Sequence, residues 1–205
     1  MHDLAHIRKY HEARIKKYGA HSSMSLGWNT PCSQQTRFAT LAEIADLTNR
    51  SILDIGCGRG DLCTFLFERF TGINYTGIEQ IVSFYELALK QYSHLARTSF
   101  ILGDFWTAVL PPADYLLASG ALNYQNSDPD FLTKTIRRLY SACHLGLGIN
   151  LLSATGYPAG QLSAYSPAEV VAFCQTLSPQ VVLREGYLEG DFTVFLYTGE
   201  AELRS

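Results

Sequence analysis

The sequence contains no apolar run of the roughly 18 residues that a membrane-crossing helix needs. It has no excess of either charge: 16 Lys and Arg stand against 19 Asp and Glu, a formal net charge of −3. Bulk charge therefore gives no reason to expect a nucleic-acid partner. The one basic cluster, Arg8, Lys9, Arg14, Lys16 and Lys17, fits the wet face of a helix. Paired cysteines are missing too. Cys32, Cys57, Cys63, Cys143 and Cys174 are odd in number, scattered, and form no Cys-x-x-Cys. That excludes a disulfide framework and a zinc site, and no metal is expected. His2 and His6 lie one helical turn apart but lack further ligands. There is no internal repeat and no low-complexity segment. The N-terminus, with its charges and histidines, does not resemble a signal peptide, so the expected location is the cytoplasm.

What the sequence does have is the composition of a globular domain, with 47% apolar and 17% charged residues. Its length suits one ordinary core. Residues 1–50 read as a helical appendage and 51–205 as an alternating body. Leu4, Ile7, Tyr10 and Tyr18 recur at helical spacing, with Gly19 as a stop. A second helix is expected to begin near Ser33 as N-cap. Short apolar strands are expected at 51–55, 75–79, 99–103, 114–119 and 146–153. Helices are expected to start at Asp61, Ile81 and Asp128-Pro129, and at the capping box Ser166-Pro167-Ala168-Glu169. Val181–Leu188 and Phe192–Thr198 are separated only by Glu189-Gly190-Asp191, which is too short for a crossover helix, so they must pair antiparallel. The implied fold is α/β: a doubly wound, seven-stranded, mostly parallel sheet with an antiparallel last strand, plus the N-terminal helical appendage.

The chemistry sits in Ile52-Leu53-Asp54-Ile55-Gly56-Cys57-Gly58-Arg59-Gly60-Asp61. Glycines between a strand and a helix allow a tight turn and close approach of a ligand to the backbone. A dinucleotide fingerprint would place glycine at position 61. Asp61 stands there instead, and a carboxylate at a helix start disfavours a pyrophosphate. With Asp54 nearby, the loop suits a ligand of ammonium or sulfonium character. Glu79, at the end of the next strand, is placed to accept from a ribose diol. Asp104 can accept from an adenine amine, and Trp106 either stacks on the base or packs internally.

These three segments, 52–61, 75–81 and 100–105, resemble the signature stretches of class I S-adenosylmethionine-dependent methyltransferases, of the small single-domain type without an assigned substrate. The resemblance spans about residues 50 to 199. It implies S-adenosylmethionine as cofactor, with Asp54, Gly56 and Gly58 against its methionine part and Cys57, Gly60 and Asp61 in the same loop. Glu79 would hold the ribose hydroxyls beside Gln80 and Ile81, Asp104 and Phe105 would face adenine, and Ser119 and Gly120 would line the methyl-donor side. Ala118-Ser119-Gly120-Ala121-Leu122-Asn123-Tyr124 lacks the Asn/Asp-Pro-Pro-Tyr/Phe pattern of amino-methylating enzymes. The paired cysteines of RNA cytosine-5 enzymes are also missing, and a small-molecule acceptor is the expectation.

The appendage is expected to cover the site. Arg37 or Gln35 would bind the cofactor carboxylate, and Trp28 would help close the pocket. Trp28, Tyr124, Tyr157 and Tyr165 are candidate acceptor-side groups. His11 or His21 is a candidate base, since imidazole titrates near neutrality. No catalytic residue is assigned. Two other readings remain at this point: a non-catalytic S-adenosylmethionine-binding subunit, and an NAD-dependent oxidoreductase, which Asp61 and the hairpin disfavour.

Overall fold

The computed structural model describes residues 4–27, 30–154 and 162–199. The appendage forms α1 (Leu4–Tyr18), a 3₁₀ turn (Ser23–Leu26) and α2 (Pro31–Ala42). Thr30, not Ser33, caps α2: its hydroxyl accepts the Ser33 N–H at 3.1 Å, and Pro31 takes the first turn, where its missing N–H costs nothing. The body runs β1 (Ser51–Ile55), α3 (Asp61–Phe67), β2 (Asn74–Glu79), α4 (Val82–Tyr92), β3 (Thr98–Leu102), β4 (Ala113–Ser119), α5 (Phe131–Tyr140), β5 (Cys143–Leu152), α6 (Pro167–Gln175), β6 (Gln180–Glu185) and β7 (Asp191–Tyr197).

One cap, one start and one turn differ from the sequence expectation for local reasons. Asp61 is the first residue of α3 and not its cap. The cap position is held by Gly60 at φ +83°, which has no side chain to bond the helix end. Asp128 closes a turn by accepting the Asp130 N–H at 2.9 Å, which delays α5 to Phe131. The hairpin turn is longer than expected because β6 ends at Glu185. The Ser166 cap is present, with its hydroxyl accepting the Glu169 N–H.

The seven strands are ordered β3-β2-β1-β4-β5-β7-β6, and β7 runs antiparallel to both β5 and β6. The chain winds outward from β1 to β3, then restarts at β4 and winds the other way. The strand order thus reverses between β1 and β4, and in open α/β sheets the crevice beyond such a switch point is where ligands bind.

Alternation along the strands sends neighbours to opposite faces. Leu116 and Val194 pack into a core with Ile136, Leu139 and Cys174 of α5 and α6. Leu117 and Phe195 pack into a second core with Phe38 and Leu41 of α2 and Leu62 and Phe65 of α3. The second half of the appendage is therefore built into the sheet packing. Among the described residues, no helix is long and apolar enough to cross a membrane. Truncating fully buried Leu116 to Ala should cost about 2–5 kcal/mol through lost transfer energy and a cavity, measured as a drop in the urea midpoint at unchanged slope.

Candidate functional site

One cleft opens at the switch point, enclosing about 1050 Å³ with its open mouth included. The body supplies the floor through the glycine loop, the end of β2 and the segment after β4. The appendage supplies the roof through Ile7, Tyr10, His11, Leu26 and Arg37.

The glycine loop is tied to β2 by backbone bonds. Gly56 N–H and Cys57 N–H both donate to Ile78 O, at 2.9 and 3.0 Å. Gly58 N–H donates to Glu79 Oε2 at 2.7 Å. Gly58 sits at φ +58°, a left-handed conformation that costs glycine least, and a Cβ there would come within 2.8 Å of Leu26 Cδ2. The loop must be bare so that the 3₁₀ turn of the appendage can close over it.

Glu79 is buried and fully engaged on one oxygen. Oε1 accepts from Gln80 N–H at 2.8 Å and Ile81 N–H at 2.7 Å, while Oε2 accepts from Gly58 N–H. Burial raises its pKa, and the three N–H bonds pull it back. A carboxylate has about four acceptor sites. Glu79 thus has one left, enough for one hydroxyl of a ribose diol, not both. The neighbouring Gln80 supplies the second acceptor: its Oε1 is buried in the cleft with no hydrogen-bond partner. An orphaned buried amide oxygen costs about 1–3 kcal/mol until a donor arrives.

Asp54 is buried and accepts the Tyr75 hydroxyl at 2.5 Å. Burial pushes its pKa from 3.8 up to about 7; the Tyr75 bond opposes this, and the charges of Glu79 and Asp61 add to it. Asp61 Oδ2 accepts from Gln34 Nε2 at 3.0 Å and from Arg59 Nη2 at 3.0 Å. The same Arg59 donates to the carbonyl of His21 in the appendage. Three carboxylates thus line one cleft.

Arg37 lines the cleft, yet its guanidinium forks onto Asp191 at the start of β7, with Nε to Oδ1 at 2.7 Å and Nη2 to Oδ2 at 2.6 Å. Asp191 already fills that edge of the fork, so the expected bond from Arg37 to a cofactor carboxylate would compete with a buried bidentate pair. Gln35 does not line the cleft. Asp104 is turned away from the adenine role: Oδ1 accepts Trp106 N–H at 3.0 Å and Oδ2 accepts the Thr107 hydroxyl at 3.3 Å. Phe105 and Ile81 do line the cleft, whereas Trp106 lies against Phe131 with ring centroids 5.2 Å apart.

Ser119 and Gly120 line the cleft, and the Ser119 hydroxyl donates to Asn150 Oδ1 at 3.0 Å. Tyr124 is also there, bonded to His11 Nε2 at 2.8 Å. Tyr165 is not; its hydroxyl donates to Leu122 O and its ring packs on the core. Gly60 lies behind the cleft wall, where a Cβ would strike Tyr92 at 2.6 Å. Trp28 and Tyr157 lie outside the described residues. Sequence reasoning missed Gln34, Arg59, Tyr75 and Asp191. Each acts through a partner remote in sequence or through the appendage, so no local pattern marks it.

Residues 52–144 match a family described as a methyltransferase domain, a little under half of the chain. No curated protein matches the sequence. Among solved structures, magnesium protoporphyrin IX methyltransferase from Synechocystis PCC 6803, with bound S-adenosylmethionine, is 15% identical. That alignment covers 97% of this chain and 98% of that one, with TM-score 0.69. A complex of DhpI with S-adenosylhomocysteine is 13% identical over 96% of this chain and 97% of that one, TM-score 0.71. The putative methyltransferase of a Haloferax volcanii complex with the Trm112 activator is 13% identical over 96% and 99%, TM-score 0.68. The fold is that of the class I methyltransferases. At 13–15% identity these structures show the shared fold, and the stretch 52–144 adds the likeness to a methyltransferase domain.

Asp54 makes stability depend on pH. A carboxyl whose pKa is higher folded than unfolded contributes stability that is complete below its ordinary pKa and is lost as the pH rises through its folded value. The cofactor-free protein should therefore lose on the order of 4 kcal/mol between its ordinary 3.8 and about 7. Asp54→Asn keeps an acceptor for Tyr75 and removes the charge, so urea melts of this variant should show that part of the slope abolished.

Proposed function

We propose that the enzyme transfers the methyl group of S-adenosylmethionine to a small-molecule acceptor. The observation that carries this is the split of one cleft. Its floor is acidic and polar, through Asp54, Asp61, Glu79 and Gln80, and aromatic groups stand on both sides of its mouth, Tyr10 and His11 from the roof and Tyr124 from the floor. Asp54 and Asp61 would face the cofactor's cationic methionine end. Glu79 and Gln80 would share the ribose diol, and Ile81 and Phe105 would lie along adenine. When bound, S-adenosylmethionine supplies an electrophilic methyl group on a sulfonium. The chain's own part is to position the acceptor, exclude water and stabilise charge.

Residues 1–50 would serve as the lid and 51–205 as the cofactor domain. The Arg59 bond to His21 O and the Gly58–Leu26 approach support a roof that seats on the cofactor loop itself. Neighbours such as mitomycin 7-O-methyltransferase, 18% identical with TM-score 0.67, favour a small acceptor over a macromolecule. Five free cysteines, four of them buried, fit a reducing cytoplasm.

Calorimetry should find that S-adenosylhomocysteine binds and NAD does not. Gln80→Leu should weaken that binding about 5- to 100-fold, since it removes one diol acceptor. Binding without any release of S-adenosylhomocysteine from S-adenosylmethionine in the presence of a small-molecule cell extract would favour the non-catalytic subunit instead.

A further inference from the structure

One element of the cleft has no part in holding the cofactor. His11 of α1 is 6% exposed. Its Nδ1 meets the Ser25 carbonyl at 3.0 Å and its Nε2 meets the Tyr124 hydroxyl at 2.8 Å. A carbonyl can only accept, so Nδ1 must carry the proton. Nε2 is then a bare lone pair, and the Tyr124 hydroxyl donates to it. Tyr124 and His11 come from opposite sides of the cleft, floor and roof, and both line it. The pair is held in place by aromatic edges: His11 lies 5.3 Å from the Phe84 ring of α4, and Tyr10 lies 5.1 Å from His11 and 6.0 Å from Tyr124.

We propose, resting on the methyltransferase reading above, that Tyr124 and His11 form a proton relay that takes a proton from a neutral hydroxyl acceptor carried on an aromatic small molecule. Tyr124 is the group that touches the acceptor, and His11 is the proton sink behind it. The acceptor O–H breaks as a new O–H forms on the Tyr124 oxygen. The original Tyr124 proton passes to His11 Nε2. The electron pair left on the acceptor oxygen forms its bond to the transferred methyl carbon, and the C–S pair stays with sulfur. The His11 proton leaves to water when the roof opens for product release.

The chemistry of the walls selects this acceptor class. A carboxylate acceptor arrives ionised and needs no base. It would also meet three carboxylates, and the cleft's one arginine or lysine among the described residues, Arg37, is forked onto Asp191. An ammonium acceptor would add a second cation beside the sulfonium. A neutral hydroxyl needs a base, and an aromatic ring fits among Tyr10, Phe84 and Tyr124. The groups facing His11 are Arg14 and Tyr10 on its own helix, the Ser25 carbonyl from the 3₁₀ turn, the Tyr124 hydroxyl after β4, and Phe84 from α4. Burial, with a small push from Arg14, lowers the His11 pKa to about 4, so the sink is empty at neutral pH. Charging a buried imidazole is costly. Here the charge appears as the sulfonium charge disappears from the same cleft, so the total is conserved.

Three measurements test this. Long-range ¹H–¹⁵N spectra of the cofactor-free protein should show His11 as the Nδ1–H tautomer, neutral down to nearly pH 4, with Nε2 shifting in Tyr124→Phe. A charged or Nε2–H imidazole at neutral pH overturns the relay. Methyl transfer to phenol and to 4-nitrophenol is then compared in mildly alkaline buffer, where only the latter is already ionised. Tyr124→Phe and His11→Gln should lose about 100-fold or more with phenol and less than about 5-fold with 4-nitrophenol. Equal losses with both acceptors mean that the pair only positions the roof, and the relay fails. Calorimetry with S-adenosylhomocysteine separates the two levels: no binding sinks the methyltransferase reading, while binding without transfer to either phenol sinks the acceptor class alone.

Discussion

Three carboxylates held in one buried cleft are the constraint on which the rest of the site depends. Asp54, Asp61 and Glu79 come from the end of β1, the start of α3 and the end of β2, and parallel pairing of β1 with β2 forces them together. Without partners they would repel one another and resist burial. Each is met differently. Glu79 gathers backbone amides, Asp61 gathers the side chains of Arg59 and Gln34, and Asp54 takes one tyrosine hydroxyl and shifts toward its neutral form. The stock of negative charge left over is what a sulfonium and an ammonium would satisfy. Binding and folding stability are thus coupled through the same atoms.

The same constraint explains why the appendage belongs to the fold and is no loose extension. Gln34 and the His21 carbonyl both reach the Asp61–Arg59 pair, Arg37 reaches β7, and Phe38 and Leu41 fill the core over the sheet. A roof bonded to the cofactor loop cannot move without disturbing the charges beneath it. On the function proposed above, cofactor arrival and roof closure would be linked states of one set of contacts.

Much of the fold was legible because its signals are local. The 3.6- and 2-residue periodicities, the Ser166 capping box, and a turn too short for a crossover placed α1, α6 and the reversed β7 correctly. The glycine loop and Glu79 were legible because glycine and a strand-end acid carry positional meaning. What was not legible depends on which side chain wins a partner. Arg37 was expected at the cofactor, but Asp191, 154 positions away, offers a bidentate fork. Asp104 was expected at adenine, and its oxygens accept from Trp106 N–H and the Thr107 hydroxyl one short turn ahead. The Gln80 oxygen is informative only through its missing partner, which a sequence does not display.

The insertion of β7 between β5 and β6 has a consequence for the history of each molecule. Strands β1 to β5 can assemble in the order in which they are made, but β5 holds an open edge until the last strand arrives. The fork between Arg37 and Asp191, and the bond from the Tyr197 hydroxyl to the Ile44 carbonyl, both join the appendage to that last strand. The cleft therefore acquires its finished wall only after β7, ending at Tyr197, has left the ribosome. A nascent chain passes through a stage with a formed sheet centre and an unfinished site. During that stage the β5 edge is a template for mispairing with other chains. Completion of the cleft is timed by the β6–β7 hairpin, far in sequence from every residue that touches the glycine loop.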